Sequence, residues 1–154
     1  MRKDIVQIRD IELIEKELQT SMAGVLAVNL TNEKLIQLVT PYIYKDKNIF
    51  VFFNDENEIA TSIHLDSIVS FSVLRFGKIK KPKSMDYEPT YNVFSITVRG
   101  AVRKVDDQKL AEELRQGYIQ KYKKNDNDNI DFSVLENIII IDSEEIQALE
   151  ETGG

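Results

Sequence analysis

The chain has 154 residues, no cysteine, a single histidine, a formal net charge of −6, 42% hydrophobic and 30% charged residues. That length suits one domain burying roughly two-thirds of its unfolded surface, and the composition is that of a folded globular protein rather than a disordered chain. Lack of cysteine excludes disulfides, thiolate metal sites and cysteine nucleophiles and fits a reducing cytoplasm, while the acidic balance argues against nucleic acid or an anionic membrane as partner.

The opening MRKDIVQIRD has two early cations and no apolar stretch behind them, so it does not read as a signal peptide. No apolar run approaches the roughly eighteen residues of a membrane span. A cytoplasmic location is the expectation. Asp10 is a plausible N-cap for a helix over 10–21, in which Ile11, Ile14 and Leu18 share one face. The period then changes. GVLAVNL (24–30), LIQLVTPYIY (35–44) and NIFVFF (48–53) are apolar and rich in β-branched or aromatic residues, and the polar turns TNEK and KDKN separate them. They predict three antiparallel strands.

A short helix over 58–65 comes next, with Asn54 or Asn57 as its cap. DSIVSFSVLRF (66–76) alternates as a fourth strand, Ile68, Ser70, Ser72 and Leu74 against Val69, Phe71, Val73 and Arg75. The loop GKIKKPKSMDYEPT leads to a long fifth strand, YNVFSITVRGAVRKV (91–105), where Gly100 suggests a bulge or a barrel corner. Asp106 or Asp107 caps a helix with the stripe Leu110, Leu114, Tyr118 and Tyr122. Gly117 within it suggests close packing against the barrel. NIIIID (137–142) reads as a buried sixth strand, and residues 143–154 as a short helix and frayed tail. The expected architecture is mainly β, a six-stranded antiparallel barrel over 24–142 with peripheral helices, in one domain covering 1–154.

These elements also carry a resemblance. Gly24-Val25-Leu26-Ala27, then Thr40-Pro41-Tyr42-Ile43-Tyr44, the aromatic strand Ile49 to Phe53, Val69-Ser70-Phe71-Ser72-Val73, and the segment VRGAVRKVDD follow one another over residues 10 to 142. A helix ending in Lys121-Tyr122 closes the order. The chain resembles the FMN-binding split barrel of the pyridoxamine 5′-phosphate oxidase-like superfamily, in particular its small nitroimidazole-resistance-type and general-stress-type members. The resemblance implies a homodimer with two FMN sites at the subunit interface. The flavin ring would lie against Thr40, Pro41 and Tyr42, its ribityl and phosphate end near Asn54, Thr61, Ser62 and His64, with Arg75 or Arg99 as charge partners. It implies a small-molecule ligand and a nicotinamide nucleotide as hydride donor, the cofactor supplying the chemistry.

One stretch departs from that family. Where its members carry cations for the phosphate, this chain has Glu58 and Ile59, and Asp55 and Glu56 add negative charge. A unit charge about 5 Å from another interacts by roughly 3 kcal/mol at an effective dielectric near 20. These acids also suit the first turn of a helix, where they complement its dipole. KIKKPK (78–83) reads as an exposed hairpin excursion, and His64 as a capping or surface residue. Of Tyr42, Tyr44, Phe52 and Phe53, mostly core by alternation, one could line the ring site. GxGxxG, P-loop, GxSxG and HExxH patterns are all absent. Three readings stay open: an FMN-dependent oxidoreductase, a non-catalytic binder of haem or another planar ligand, and a cofactor-free dimer with a degenerate FMN site.

Overall fold

The apolar runs of the sequence become strands of one curled antiparallel sheet. The structure is a computed structural model that describes residues 3–79, 86–125 and 127–154. Its elements are β1 (Lys3–Ile8), α1 (Ile11–Thr20), β2 (Gly24–Asn29), β3 (Leu35–Thr40), β4 (Tyr42–Lys45), β5 (Asn48–Phe53), α2 (Glu58–Ser62), β6 (Ile68–Phe76), β7 (Tyr91–Lys104), α3 (Gln108–Tyr122), a 3-10 turn over Phe132–Leu135, and β8 (Asn137–Gly153). The strand order is β3-β2-β6-β7-β8-β5-β4, with β1 paired to β8. The mainly β, antiparallel barrel expected from the sequence is therefore present, with eight described strands in place of six.

Two differences account for the count, and a third lengthens the last strand. LIQLVTPYIY is not one strand. Pro41 supplies no N–H, and the chain breaks there into β3 and β4, which are the two edges of the sheet path. The barrel is closed at that point by a single residue of chain rather than by a ladder. Residues 3–8 form a strand the sequence did not announce, its neighbouring Ile5 and Val6 both exposed. In place of the helix and tail expected over 143–154, residues 143–153 form the second half of β8, laddered to Tyr91–Arg99 on one side and to β1 on the other. Two partner strands override the poor strand propensity of SEEIQALEE.

Gly100 marks a bulge, as its position suggested. The β7–β8 register shifts between Arg99 and Gly100, and a Cβ at Gly100 would lie 2.0 Å from the Asp142 carbonyl oxygen. Gly117 does not pack closely, since nothing lies within 4 Å of where its Cβ would sit. Asp10, Asn57 and Asp107 cap α1, α2 and α3 through their side-chain oxygens. Helix α2 ends at Ser62, short of the expected residue 65, because Ile63 turns extended and bridges to Leu30. Asp46 and Lys47, both at positive φ, make the two-residue β4–β5 turn.

Two apolar clusters hold the fold. The barrel interior gathers Leu26, Tyr42, Phe71, Ile96, Val98 and Ile141 with their neighbours. A second cluster, with Ile43, Phe50, Phe52, Leu114, Leu135 and Ile138, lies between β4, β5, β8 and the layer made by α3 and the 3-10 turn. That is why IFVFF is apolar throughout: from Ile49 to Phe53, β5 is buried on both faces. No helix of the described residues is long and apolar enough to cross a membrane. Of KIKKPK, Lys78 and Ile79 are exposed, and residues 80–83 lie outside the described residues.

Candidate functional site

The seam at Pro41 leaves a strand edge without a ladder partner, and α3 supplies the substitutes. The Tyr42 N–H donates to the Tyr122 hydroxyl at 3.0 Å. Lys121 Nζ donates to the Tyr42 carbonyl at 3.1 Å, which also accepts from the Tyr122 hydroxyl. Lys121 stands 4.0 Å from the Tyr42 ring centroid, and burial pushes its ammonium down to about 8. The Tyr42 ring is wholly buried: its hydroxyl donates to the Leu18 carbonyl, and it meets Phe71 edge-to-face at 4.8 Å.

Beside this plug the seam opens into a cleft of about 220 Å³, lined by Leu38, Thr40, Pro41, Phe52, Phe53, Asn54, Asn57, Tyr118 and Val134. Its walls are aromatic and aliphatic. Polar groups come from Thr40, whose hydroxyl donates to the Pro41 carbonyl at 3.1 Å, and from the two asparagines at the far end. Tyr118 packs edge-to-face on Phe52 with ring centroids 5.0 Å apart, which fixes one wall, and burial raises its hydroxyl pKa. A flat heteroaromatic ring suits such a slot, its faces against apolar side chains and its edge at Thr40 and the asparagines.

Through Asn54 the cleft adjoins a second recess lined by Asn54, Asp55, Glu56, Ser133 and Glu136. The Asn137 amide donates to Asp55 at 2.7 Å, and this contact with the one from Glu136 holds the Asp55 carboxyl below the usual range. The Glu136 carboxyl is pushed up, chiefly by the same contact with Asp55, so it takes a proton first.

Of the residues expected from sequence, the cleft brings together Thr40, Pro41 and Asn54. Tyr42 is behind it, in the core. Thr61 is exposed and Ser62 half-buried on α2, and His64 lines a separate recess with Asn29, Leu30, Thr31 and Glu33. Arg75 pairs with Glu17 at 2.9 Å and lies over the Phe94 ring, and Arg99 pairs with Glu145 at 3.4 Å on the outer face of β7. None of these five lines the cleft. Sequence reasoning missed Leu38, Asn57 as a lining residue, Val134 and Tyr118. The helical stripe had flagged Tyr118 as apolar-facing, but nothing in the sequence said which strand it faced.

The group that the resemblance implied, FMN, fits this cleft at one end and not the other. The ring end fits, for the reasons just given. The phosphate end does not. Helix α2 has five residues, its Ile59 N–H is taken by Asn57 Oδ1 at 2.8 Å, and Lys34 beside it is engaged by Glu58 at 3.6 Å. Arg115 spends its guanidinium on the Leu135 and Glu136 carbonyls.

A split, curled antiparallel barrel with helices at its gaps defines a known class of fold. The fold of this chain is similar to that of solved structures of flavin-binding and pyridoxamine 5′-phosphate oxidase-like proteins. The structure is similar to a protein assigned to 5-nitroimidazole antibiotic resistance from Bacteroides thetaiotaomicron, with TM-score 0.75 and 11% identity over 99% of this chain and 90% of that one. It is similar to a FAD-binding protein from Mesorhizobium loti, with TM-score 0.64 and 16% identity over 95% and 97% of the two chains. A protein assigned as a pyridoxamine 5′-phosphate oxidase from Corynebacterium glutamicum gives TM-score 0.62 and 16% identity over 100% and 98%. No protein-family profile matches the sequence, and no curated protein matches it significantly.

Proposed function

We propose that this chain is a flavin-binding protein that holds the flavin ring in the seam cleft, and that it works as a homodimer. The observation that carries the reading is the cleft itself, in which Thr40 and Pro41 face Phe52, Phe53 and Tyr118 across a ring-sized slot with Asn54 and Asn57 at one end. The same fold in the FAD-binding protein from Mesorhizobium loti supports it. A bound flavin there would supply hydride or electron transfer, and the side chains of this chain would orient the ring and keep water from one of its faces. Reduction of a small electrophile at the expense of a nicotinamide nucleotide is the activity proposed.

Two features support the homodimer. A volume of about 220 Å³ is below the roughly 300 Å³ at which ligand pockets usually begin, so one chain offers part of a site. Strand β3 serves two surfaces: Leu38 and Thr40 line the cleft, while Leu35 and Val39, 69% and 71% exposed, belong to the uncovered outer face of the sheet. A second copy on that face would sit beside the cleft.

The test is to incubate the purified protein with excess riboflavin, FMN or FAD, remove free ligand by gel filtration, and record the absorption spectrum. The flavin band is expected to travel with the protein, and Tyr118→Ala is expected to weaken retention by removing one wall. A protein that leaves the column without any flavin overturns the reading.

A further inference from the structure

The cleft has two chemically unlike ends, and the difference selects among flavins. A ring seated between Pro41, Phe52 and Tyr118 must send its polar tail toward the polar end of the slot, at Asn54 and Asn57. That end shares Asn54 with the neighbouring recess lined by Asn54, Asp55, Glu56, Ser133 and Glu136. Three of its five lining residues are carboxylic acids, and the other two offer an amide and a hydroxyl. Such a lining is rich in acceptors. It suits a tail that donates hydrogen bonds and carries no negative charge.

We infer, on the flavin-binding reading above, that this site selects riboflavin, whose polyol tail ends uncharged, over FMN, whose tail ends in a phosphate. The polyol hydroxyls donate to the Asp55, Glu56 and Glu136 carboxyl groups and to the Asn54 amide oxygen. A phosphate placed in the same recess meets like charge. Among the described cations near these elements, Lys34 is paired with Glu58, and Arg115 keeps its charge but is turned onto the carbonyls of residues 135 and 136. The short helix α2 leaves the phosphate no N–H at Ile59, which Asn57 already occupies. Selectivity therefore comes from repulsion of the phosphorylated competitor as well as from attraction of the neutral one.

The experiment is a titration of the intact protein with riboflavin, FMN and FAD, followed by quenching of flavin fluorescence at low and high salt. Riboflavin is expected to bind at least about tenfold more tightly than FMN at low salt, with the gap narrowing as salt screens the exposed carboxylates. Glu56→Lys, at an exposed position, is expected to raise FMN affinity about tenfold by reversing the sign of one neighbouring charge, and to lower riboflavin affinity by removing one acceptor of its tail. FMN binding as tightly as riboflavin, or a preference that neither salt nor Glu56→Lys alters, overturns the inference and leaves the flavin-binding reading standing. Failure of all three flavins to bind overturns both.

Discussion

The two halves of the sheet obey the same alternation and reach different ends. Strands β4, β5 and the first part of β8 are covered on the inside by the barrel core and on the outside by α3 and the 3-10 turn. Strands β3, β2, β6 and β7 share that inner core, but their outer face carries no layer of the described residues. The rows across it are Val39–Val25–Ser72–Thr97 and Gln37–Ala27–Ser70–Arg99. Ser72 and Thr97 hydroxyls bond to each other at 3.1 Å. Small and hydroxylated residues run through the middle, with Leu35, Val39, Ile68 and Leu74 exposed around them. A sheet face meant for water carries more charge. The contrast teaches that this chain finishes one half of its sheet with its own helix and leaves the other uncovered, the face on which the proposed second copy would sit.

The sharpest break of that comparison is a pair of substitutions. Leu114→Ala in the covered half removes a side chain 1% exposed and should cost about 3 kcal/mol in urea denaturation. Ser72→Arg in the open half should leave the stability of the isolated chain within about 0.5 kcal/mol yet abolish the dimer in light scattering. If wild type is already monomeric, or if Ser72→Arg unfolds the chain as readily as Leu114→Ala, the two halves do not differ as described. Within the covered half, Gly117→Ala should add about 1 kcal/mol, because the new methyl meets nothing and the helix loses its most flexible interior residue.

The smallest effect lies where the halves join. Burial lowers the Lys121 ammonium to about 8 from an ordinary 10.5, so between those values the unfolded chain binds a proton that the folded chain has lost. Stability from this group therefore rises with pH from about 8. Above about 10 the buried Tyr42 and Tyr122 hydroxyls, both pushed up by burial, reverse the slope as unfolded tyrosines ionise. Urea midpoints measured across pH 8 to 10 should rise in wild type and stay flat in Lys121→Met.

Much of the fold was legible because periodicity reports burial. The double-sided core of β5 showed as an unbroken apolar run, and the one-sided β6 as strict alternation. What was missed lacks a local signal. The strand at residues 3–8 and the second half of β8 exist because they pair with each other and with β7, at sequence separations no window sees. Pro41 was visible, yet its role as the seam depends on which edges the curl brings together. The cleft was legible to a lesser degree: Thr40, Pro41 and Asn54, which the resemblance implied, line it, while Tyr118 and Val134 arrive from elements some 80 to 95 residues downstream of Thr40. The acidic turn after β5 is the clearest case of a local departure with a structural counterpart, since Asp55 and Glu56 line the recess beside the cleft.

The closure at Pro41 has a mechanical side. The two edges of the sheet meet through one peptide segment, and Lys121 and Tyr122 extend hydrogen bonds from the last turn of α3 to Tyr42 on the β4 side, the Tyr122 hydroxyl also facing the Met22 carbonyl at 3.0 Å. Helix ends fray more readily than ladders break. The seam is thus a zip fastener held by one tab: loosening of the last turn of α3 would free the Tyr42 amide while the rest of the sheet stays laced. Exchange of that amide with solvent is the expected report of loosening at the seam, and the flavin proposed for the cleft, held against Thr40 and Pro41, should slow it.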